Sequence, residues 1–550
     1  MKKRQLGFLL LLLIFALVVA ACSSDDASTE ENPNEGQNET GQEQEPSTEP
    51  KVLLLNNGRE PTSLDPPIGF DAASYNLINN FMEGLTRLGA DHTPEAGIAE
   101  DWDISEDGRV YTFYIRENAN WSNGDPVTAH DFEFAWKRFI DPETASPAAF
   151  LANLIEGAEG FNSGEGTVDD VMVTALDDKT LEVTLTSPQS YFLNVITNPP
   201  FFPVHKETVE GNENWHAEAS TIHSNGPFKL TQWDKDSQII IEKNEHYWDT
   251  NQVKLDQVVW KMVNDSNTSY QMYTSGELHT SDVPADLSEQ LFANGEVNVE
   301  DSSGTMFFRF NVTEEPFQNV NIRRAFSMAV DRQQIIDYVI KGQQRAATAF
   351  VSYGFTDAQG DDFREKGGDL ISFNLEEAKQ LLEQGMAEEG YTALPEITLS
   401  YNNTDINHRI AQALQEMLRQ NLGVEVNLTS QEGAVFLAAQ RALELQFSRS
   451  SFIPDFGDPI NFLESFITGS SMNRTGWSHA EYDSLIAEAY QEADDARRFE
   501  LLHRAESILF EESPIIPLYF YNTIYLQADD VKGIVRHPVG YLELKWADME

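Results

Sequence analysis

A single cysteine, Cys22, in 550 residues leaves no partner for a disulfide and no ligand set for a cysteine-based zinc or iron–sulfur site. Bases are also scarce: 37 Lys and Arg stand against 90 Asp and Glu, for a formal charge of −53. A phosphate backbone needs a basic face to displace its counterions, so nucleic-acid binding is excluded. Catalytic signatures are missing. The eleven histidines show no H-E-x-x-H spacing, and there is no G-x-S-x-G elbow, no P-loop and no Gly-rich dinucleotide fingerprint. With 90 acids, carboxylate pairs arise by chance and carry no weight for glycosidase chemistry. After residue 21 no apolar run is long enough to span a bilayer. A binding protein is expected rather than an enzyme, with no cofactor and no metal.

What is present is a large apolar inventory: 41% hydrophobic residues, with 33 Phe, 17 Tyr and 9 Trp. That suits a folded chain of two to four domains. Lys2, Lys3 and Arg4 precede the apolar run Leu6 to Ala21, which has the length of a signal-peptide core. The run ends at Val19-Ala20-Ala21-Cys22, which resembles a bacterial lipobox and implies cleavage before Cys22 and lipidation of its thiol. Residues 23–50 hold nine acids, no base and no aliphatic residue larger than Ala, the composition of a solvated tether. Residues 1–21 are thus expected to be a leader, and 22–50 a lipidated cysteine with an acidic leash. A protein on the outer face of the cell membrane follows. The remaining charge of about −47 suggests adaptation to a saline habitat, where counterions screen self-repulsion.

Strands are expected at Val52–Leu55, Tyr111–Ile115, Thr180–Leu185, Gln238–Glu242 and Ile397–Tyr401, from short apolar runs or period-two alternation. Gly423–Leu428 alternates in the same way. Helical periodicity marks 320–340, 374–383, 407–422, 479–492 and 496–512. Ile322, Phe326, Val330 and Ile336 form one apolar stripe. The mixture predicts an α/β protein with more than one sheet.

Several ordered blocks carry a family resemblance. They begin with Glu60-Pro61-Thr62-Ser63-Leu64-Asp65-Pro66, then Glu83-Gly84-Leu85 and Ala99-Glu100-Asp101-Trp102. Trp121-Ser122-Asn123-Gly124-Asp125-Pro126-Val127-Thr128-Ala129 follows, with Trp136-Lys137-Arg138. Later come Asn225-Gly226-Pro227-Phe228, Tyr247-Trp248, Asp331-Arg332 and Asp455-Phe456-Gly457-Asp458-Pro459. From about residue 51 to 547 the series resembles the family 5 extracellular solute-binding proteins, the peptide-binding lipoproteins of ABC importers.

The resemblance implies a periplasmic-binding-protein-like two-lobed clamp of type II, with three domains built from discontinuous segments. Domain I would take 51–82, 206–304 and 522–550, domain II 83–205 and domain III 305–521. It implies a monomer that closes on a peptide and docks on the permease subunits of the importer. Most of the blocks read as scaffold, Trp121 as core. For the ligand, Asp455 would take the peptide ammonium, the other reading of its loop being turn chemistry alone. Arg449 would balance local acid charge. Ser451, Phe452 and Ile453 would offer main-chain groups, and Phe70, Asp71 and Ala72 would do so from the opposite lobe. Arg441 and Lys341 are the candidates for the peptide carboxylate. The Gly433, Ala148 and Phe452 positions depart from the bulkier aromatics of many members, so side-chain preference does not carry over. The same scaffold also serves nickel chelates, haem, oligosaccharides and opines, and peptide-pheromone sensors share every cleft feature.

Overall fold

The Val52–Asn56 strand lies parallel to Gln257–Lys261, some two hundred residues away. Gln238–Lys243 and Phe228–Asp234 extend this sheet antiparallel to four strands. The computed structural model describes residues 49–357 and 359–550, and 50–550 form one compact unit. The expected leader, Cys22 and most of the acidic leash therefore lie outside the described residues. Among the described residues no helix is long and apolar enough to cross a membrane.

A second, wholly antiparallel sheet follows the order Ala99–Ile104, Val110–Ile115, Thr180–Thr184, Val173–Asp177. Helix Ala129–Phe139 covers it. Asp131 accepts from both the N–H and the hydroxyl of Thr128, closing the helix start as a capping box. Trp121 is fully buried beside it, as its scaffold reading requires. Arg138 on that helix reaches back to Asp65 through two hydrogen bonds of 2.9 and 2.5 Å, tying the Glu60–Pro66 block to the Trp136-Lys137-Arg138 block.

The third sheet is mixed, in the order Thr280–Asp282, Ile515–Gln527, Asn298–Phe310, Phe447–Phe452, Ile397–Asn402, Val426–Gln431, with Arg345–Ala346 on Ile515–Gln527. Its two thirteen-residue strands pair antiparallel along their length. The register slips between Asp301 and Thr305, where two extra residues bulge from one strand. The bulged N–H groups are not wasted. Ser303 donates to the Pro538 carbonyl at 2.8 Å and Gly304 to the Ser352 hydroxyl at 3.0 Å.

Two elements differ from expectation. The strand expected at 423–428 starts instead at Val426 and runs to Gln431. Helix Asp405–Leu422 ends in a left-handed Gly423, and the N–H groups of Gly423 and Val424 still bond back to Arg419 and Leu418. Those residues finish the helix before the chain can extend. The expected helix over 320–340 breaks into Val320–Met328 and Arg332–Ile335, followed by a π-helical turn Ile336–Ile340. Asp331 caps the second piece through the Gln334 N–H, and Arg332 donates to the carbonyls of Ser327, Val330 and Pro517 that the break exposes. The stripe Ile322, Phe326, Val330, Ile336 is buried throughout.

Candidate functional site

Strand Phe447–Phe452 is bonded on one side along its whole length, to Thr305–Phe310. On the other side it pairs with Ile397–Asn402 only at Phe447 and Ser448. The Arg449 carbonyl accepts from the Gln440 side-chain amide at 3.0 Å, and beyond it no strand pairs with this edge among the described residues, which is the geometry that accepts an added peptide strand. Ser451 is half-buried on that edge. The Phe452 ring packs inward against Phe350 and Phe462, with centroids 5.7 and 4.8 Å apart, so its bulk serves the core while its main chain stays at the edge. Ile453, just beyond, is 62% exposed. Gly304 lies against this stretch with φ at +136°, and a Cβ there would stand 2.7 Å from the Phe452 carbonyl oxygen.

The turn after the strand separates its two acids by role. Asp458 does the structural work: its carboxylate accepts from the Ile460 N–H at 2.9 Å and from Arg498. Asp455 is positioned through its backbone, whose N–H donates to Asn461 Oδ1 at 2.7 Å. Among the described residues its carboxylate takes no hydrogen bond and no ion pair. Burial alone pushes it up to about 6. The turn chemistry is thus satisfied by Asp458, and Asp455 is left as a desolvated acid with no partner for its carboxylate among the described residues.

The opposing segment starts at Phe70. Asp71 caps helix Ala72–Phe81, accepting from the N–H groups of Ala73 and Ser74 and from the Ser74 hydroxyl at 2.7 Å. Burial opposes its charge, but these hydrogen bonds, one from Thr62, and the Arg59 guanidinium hold it below the ordinary range. The N–H groups of Phe70 and Asp71 already donate to Ile68 and Gly69. The main-chain groups this segment leaves for a ligand are the Phe70 carbonyl and the Ala72 N–H. Sequence reading missed Tyr75. Its hydroxyl is buried with no partner among the described residues, packs edge-on to Phe70 and Tyr541, and is raised well above the usual phenol range by burial, then by Tyr541, Asp455 and Asp71. Both acids raise the same phenol, so the two sequence-predicted segments lie within electrostatic range of Tyr75.

The expected bases divide. Arg449 lies on the open-edged strand, its Nη2 3.4 Å from the Tyr521 hydroxyl, and its buried Nε has no acceptor. A cavity of about 240 Å3 beside the strand is lined by Arg449 and by Arg474, which sequence reading did not single out. Arg441 and Lys341 stand outside it. Arg441 is the exposed last residue of helix Gly433–Arg441. Lys341 ends its helix in a left-handed conformation, exposed, with its ammonium 3.4 Å from Glu289. A second cavity, of about 600 Å3, adjoins the Asp455 turn through Gly457 and Asp458, and the Phe456 ring stacks on Tyr191 with centroids 5.5 Å apart.

A relative from Bacillus subtilis (strain 168), the dipeptide-binding protein DppE, is 58% identical over 90% of this chain and 92% of its own length. Among solved structures, the unliganded open form of the periplasmic murein tripeptide-binding protein MppA superposes with a TM-score of 0.80 at 28% identity, covering 91% of this chain and 98% of that one. Listeria monocytogenes OppA bound to peptide gives 0.70 at 32% identity, covering 91% and 99%. These likenesses describe a two-lobed clamp of the periplasmic-binding type. The model described as bacterial extracellular solute-binding proteins, family 5 (middle), matches residues 93–474. With that match and the DppE identity, the chain belongs to family 5 of the bacterial extracellular solute-binding proteins.

Proposed function

We propose that the protein captures short peptides between its lobes and delivers them to the permease of an ABC importer. The observation that carries this is the half-buried Asp455 carboxylate, without a partner among the described residues, three residues beyond an open-edged strand. The acid matches a peptide ammonium and the edge matches a peptide main chain, with the Phe70 carbonyl and Ala72 N–H facing them. In a closed cleft the Asp–ammonium contact is charge-assisted and shielded from water. Relatives named for dipeptide and oligopeptide binding support the ligand class.

The finer organisation follows the same reading. Residues 51–82, 206–304 and 522–550 form one domain, 83–205 a second and 305–521 a third, an assignment supported by the separate sheets within the first two. The mature protein is a monomeric lipoprotein anchored through Cys22 outside the cell membrane. Its acidity suits a saline habitat, and it has no catalytic activity of its own.

The test is titration of trialanine and N-acetyl-trialanine into wild type and Asp455→Ala. Acetylation removes the ammonium, and the substitution removes its partner. Each is expected to cost about 2–5 kcal/mol, and both together little more than one. An acetylated peptide that binds as tightly as the free one would sink the assignment of Asp455, and a protein that retains a metal chelate or saccharide instead would sink the peptide reading.

A further inference from the structure

Four arginines gather where strand Phe447–Phe452 has its open edge: Arg309, Arg441, Arg449 and Arg474. In a chain with 90 acids, none of them is within ion-pair distance of a carboxylate among the described residues. Arg309 is 4% exposed and does not line the 240 Å3 cavity itself, but donates to the hydroxyl of its lining residue Ser450 at 2.7 Å and to the Met472 carbonyl at 3.1 Å. Burial, then the neighbouring Arg474, pushes it down to about 9, which leaves it charged at neutral pH. Arg474 reaches only Gln440 Oε1 at 3.3 Å and the Met472 sulfur at 3.6 Å. Its own value is lowered by burial and by Arg441. The buried Nε atoms of Arg309, Arg449 and Arg474 all lack an acceptor.

Buried arginines elsewhere in the molecule have a carboxylate partner or oxygen acceptors on every nitrogen, although the Nε of Arg364, like those near the cavity, has no acceptor among the described residues. Arg364 and Arg498 are buried against Glu506 and Asp458. Arg332 is buried without an acid, yet its Nε and both terminal nitrogens meet carbonyl or hydroxyl oxygens. What distinguishes the cavity is that Arg449 and Arg474 both line it with no carboxylate partner among the described residues, beside Asn402, Gln440, Ser450 and Ser451 and no acid, which leaves room for an anion.

We infer that this cavity receives an acidic side chain of the bound peptide, giving the protein a preference for peptides that carry Asp or Glu. The inference rests on the peptide-binding reading and names the substrate class within it. A peptide lying along Ser451–Ile453 with its ammonium at Asp455 directs side chains to either side of the open edge, and Ser451 lines the cavity itself. A carboxylate entering there meets Arg474 and Arg449, a planar acceptor for planar forks, with Arg309 holding Ser450 behind them. The volume holds one side chain. The overall negative charge does not forbid it, because acids more than a Debye length away are screened while the cluster is not.

The same chemistry would suit the peptide's own terminal carboxylate, and amidated peptides separate the two sources. Wild type is titrated with Ala-Glu-Ala-amide, Ala-Ala-Glu-amide, their Gln counterparts, trialanine and trialanine amide. At least one Glu peptide is expected to bind ten times or more tightly than its Gln counterpart. In Arg474→Gln that ratio falls to about one, and Arg474→Lys restores part of it. Equal binding of Glu and Gln peptides by wild type would overturn the inference, and needs no variant. So would a dependence on amidation alone, which would assign the arginines to the terminal carboxylate. If trialanine binds but the Glu preference is absent, only this inference fails; if no peptide binds, the peptide reading fails with it.

Discussion

Arg498 grips Asp458 through two parallel hydrogen bonds of 2.8 and 2.7 Å, with both side chains buried, three residues beyond the acid proposed to meet the ligand. Because Asp458 also caps the next helix turn, this pair sets the path of the chain on which Asp455 rides.

Arg498→Met would strand a buried carboxylate, and the expected loss is about 3–5 kcal/mol of stability, read by denaturant unfolding. Peptide affinity should fall with it, since Asp455 loses its frame. A loss below about 1 kcal/mol would mean that water replaces the guanidinium and that the pair does not hold the turn.

Asp455 gives the pH dependence two opposite signs. Its folded value, about 6, lies above the ordinary 3.8, so its contribution to the stability of the unliganded fold is full at acid pH and is lost as pH rises through about 6. Peptide affinity moves the other way, rising through about 6 as the carboxylate forms, then falling above about 8 as the peptide amine loses its proton. Calorimetric titration across this range should show both limbs in wild type and lose the acid limb in Asp455→Asn. An affinity flat through pH 6 would detach Asp455 from the ligand.

Gly304→Ala is expected to cost about 1–3 kcal/mol, since φ at +136° is strained for a side chain and the new methyl would press on the Phe452 carbonyl. The measurable companion is a weaker peptide affinity, because the displaced group belongs to the open-edged strand. Thermal unfolding and titration of the same variant check both.

Lys341→Ala should leave stability and peptide affinity unchanged within about 0.5 kcal/mol, as its only ion partner is the exposed Glu289. A marked loss of affinity for free-carboxylate peptides would show that closure carries Lys341 into the cleft.

Much of the scaffold was legible because it is local. Val52–Asn56, Val110–Ile115, Thr180–Thr184 and Ile397–Asn402 appear where alternation or apolar runs put them. The stops were harder. Gly423 reads as the start of a strand by composition, but its left-handed conformation belongs to the helix before it, and Asp331 divides a continuous apolar stripe by capping. At the site, Asp455 could be found because a motif surrounds it. Tyr75 and Arg474 could not, since nothing in their neighbourhoods announces them. Tyr75 matters through Asp455, some 380 residues later, and Arg474 through Arg309 and Ser450, which only the third sheet and its flanking loops bring near. Arg441 and Lys341 were chosen by position along the chain, and the helix ends on which they sit turn them to solvent.

The long pairing of Asn298–Phe310 with Ile515–Gln527 also constrains how the molecule is made. A nascent chain that has emerged as far as residue 510 has no centre for its largest sheet, because Ile515–Gln527 bonds to both Asn298–Phe310 and Thr280–Asp282. Helix Ala72–Phe81, among the first elements synthesised, waits longer still: Asn79 and Asn80 donate to the carbonyl of Leu542. Contacts this distant along the chain form late and slowly. The sheet of residues 99–184 has all its strands early, whereas the largest sheet and the seat of the first helix are completed only by the last residues made.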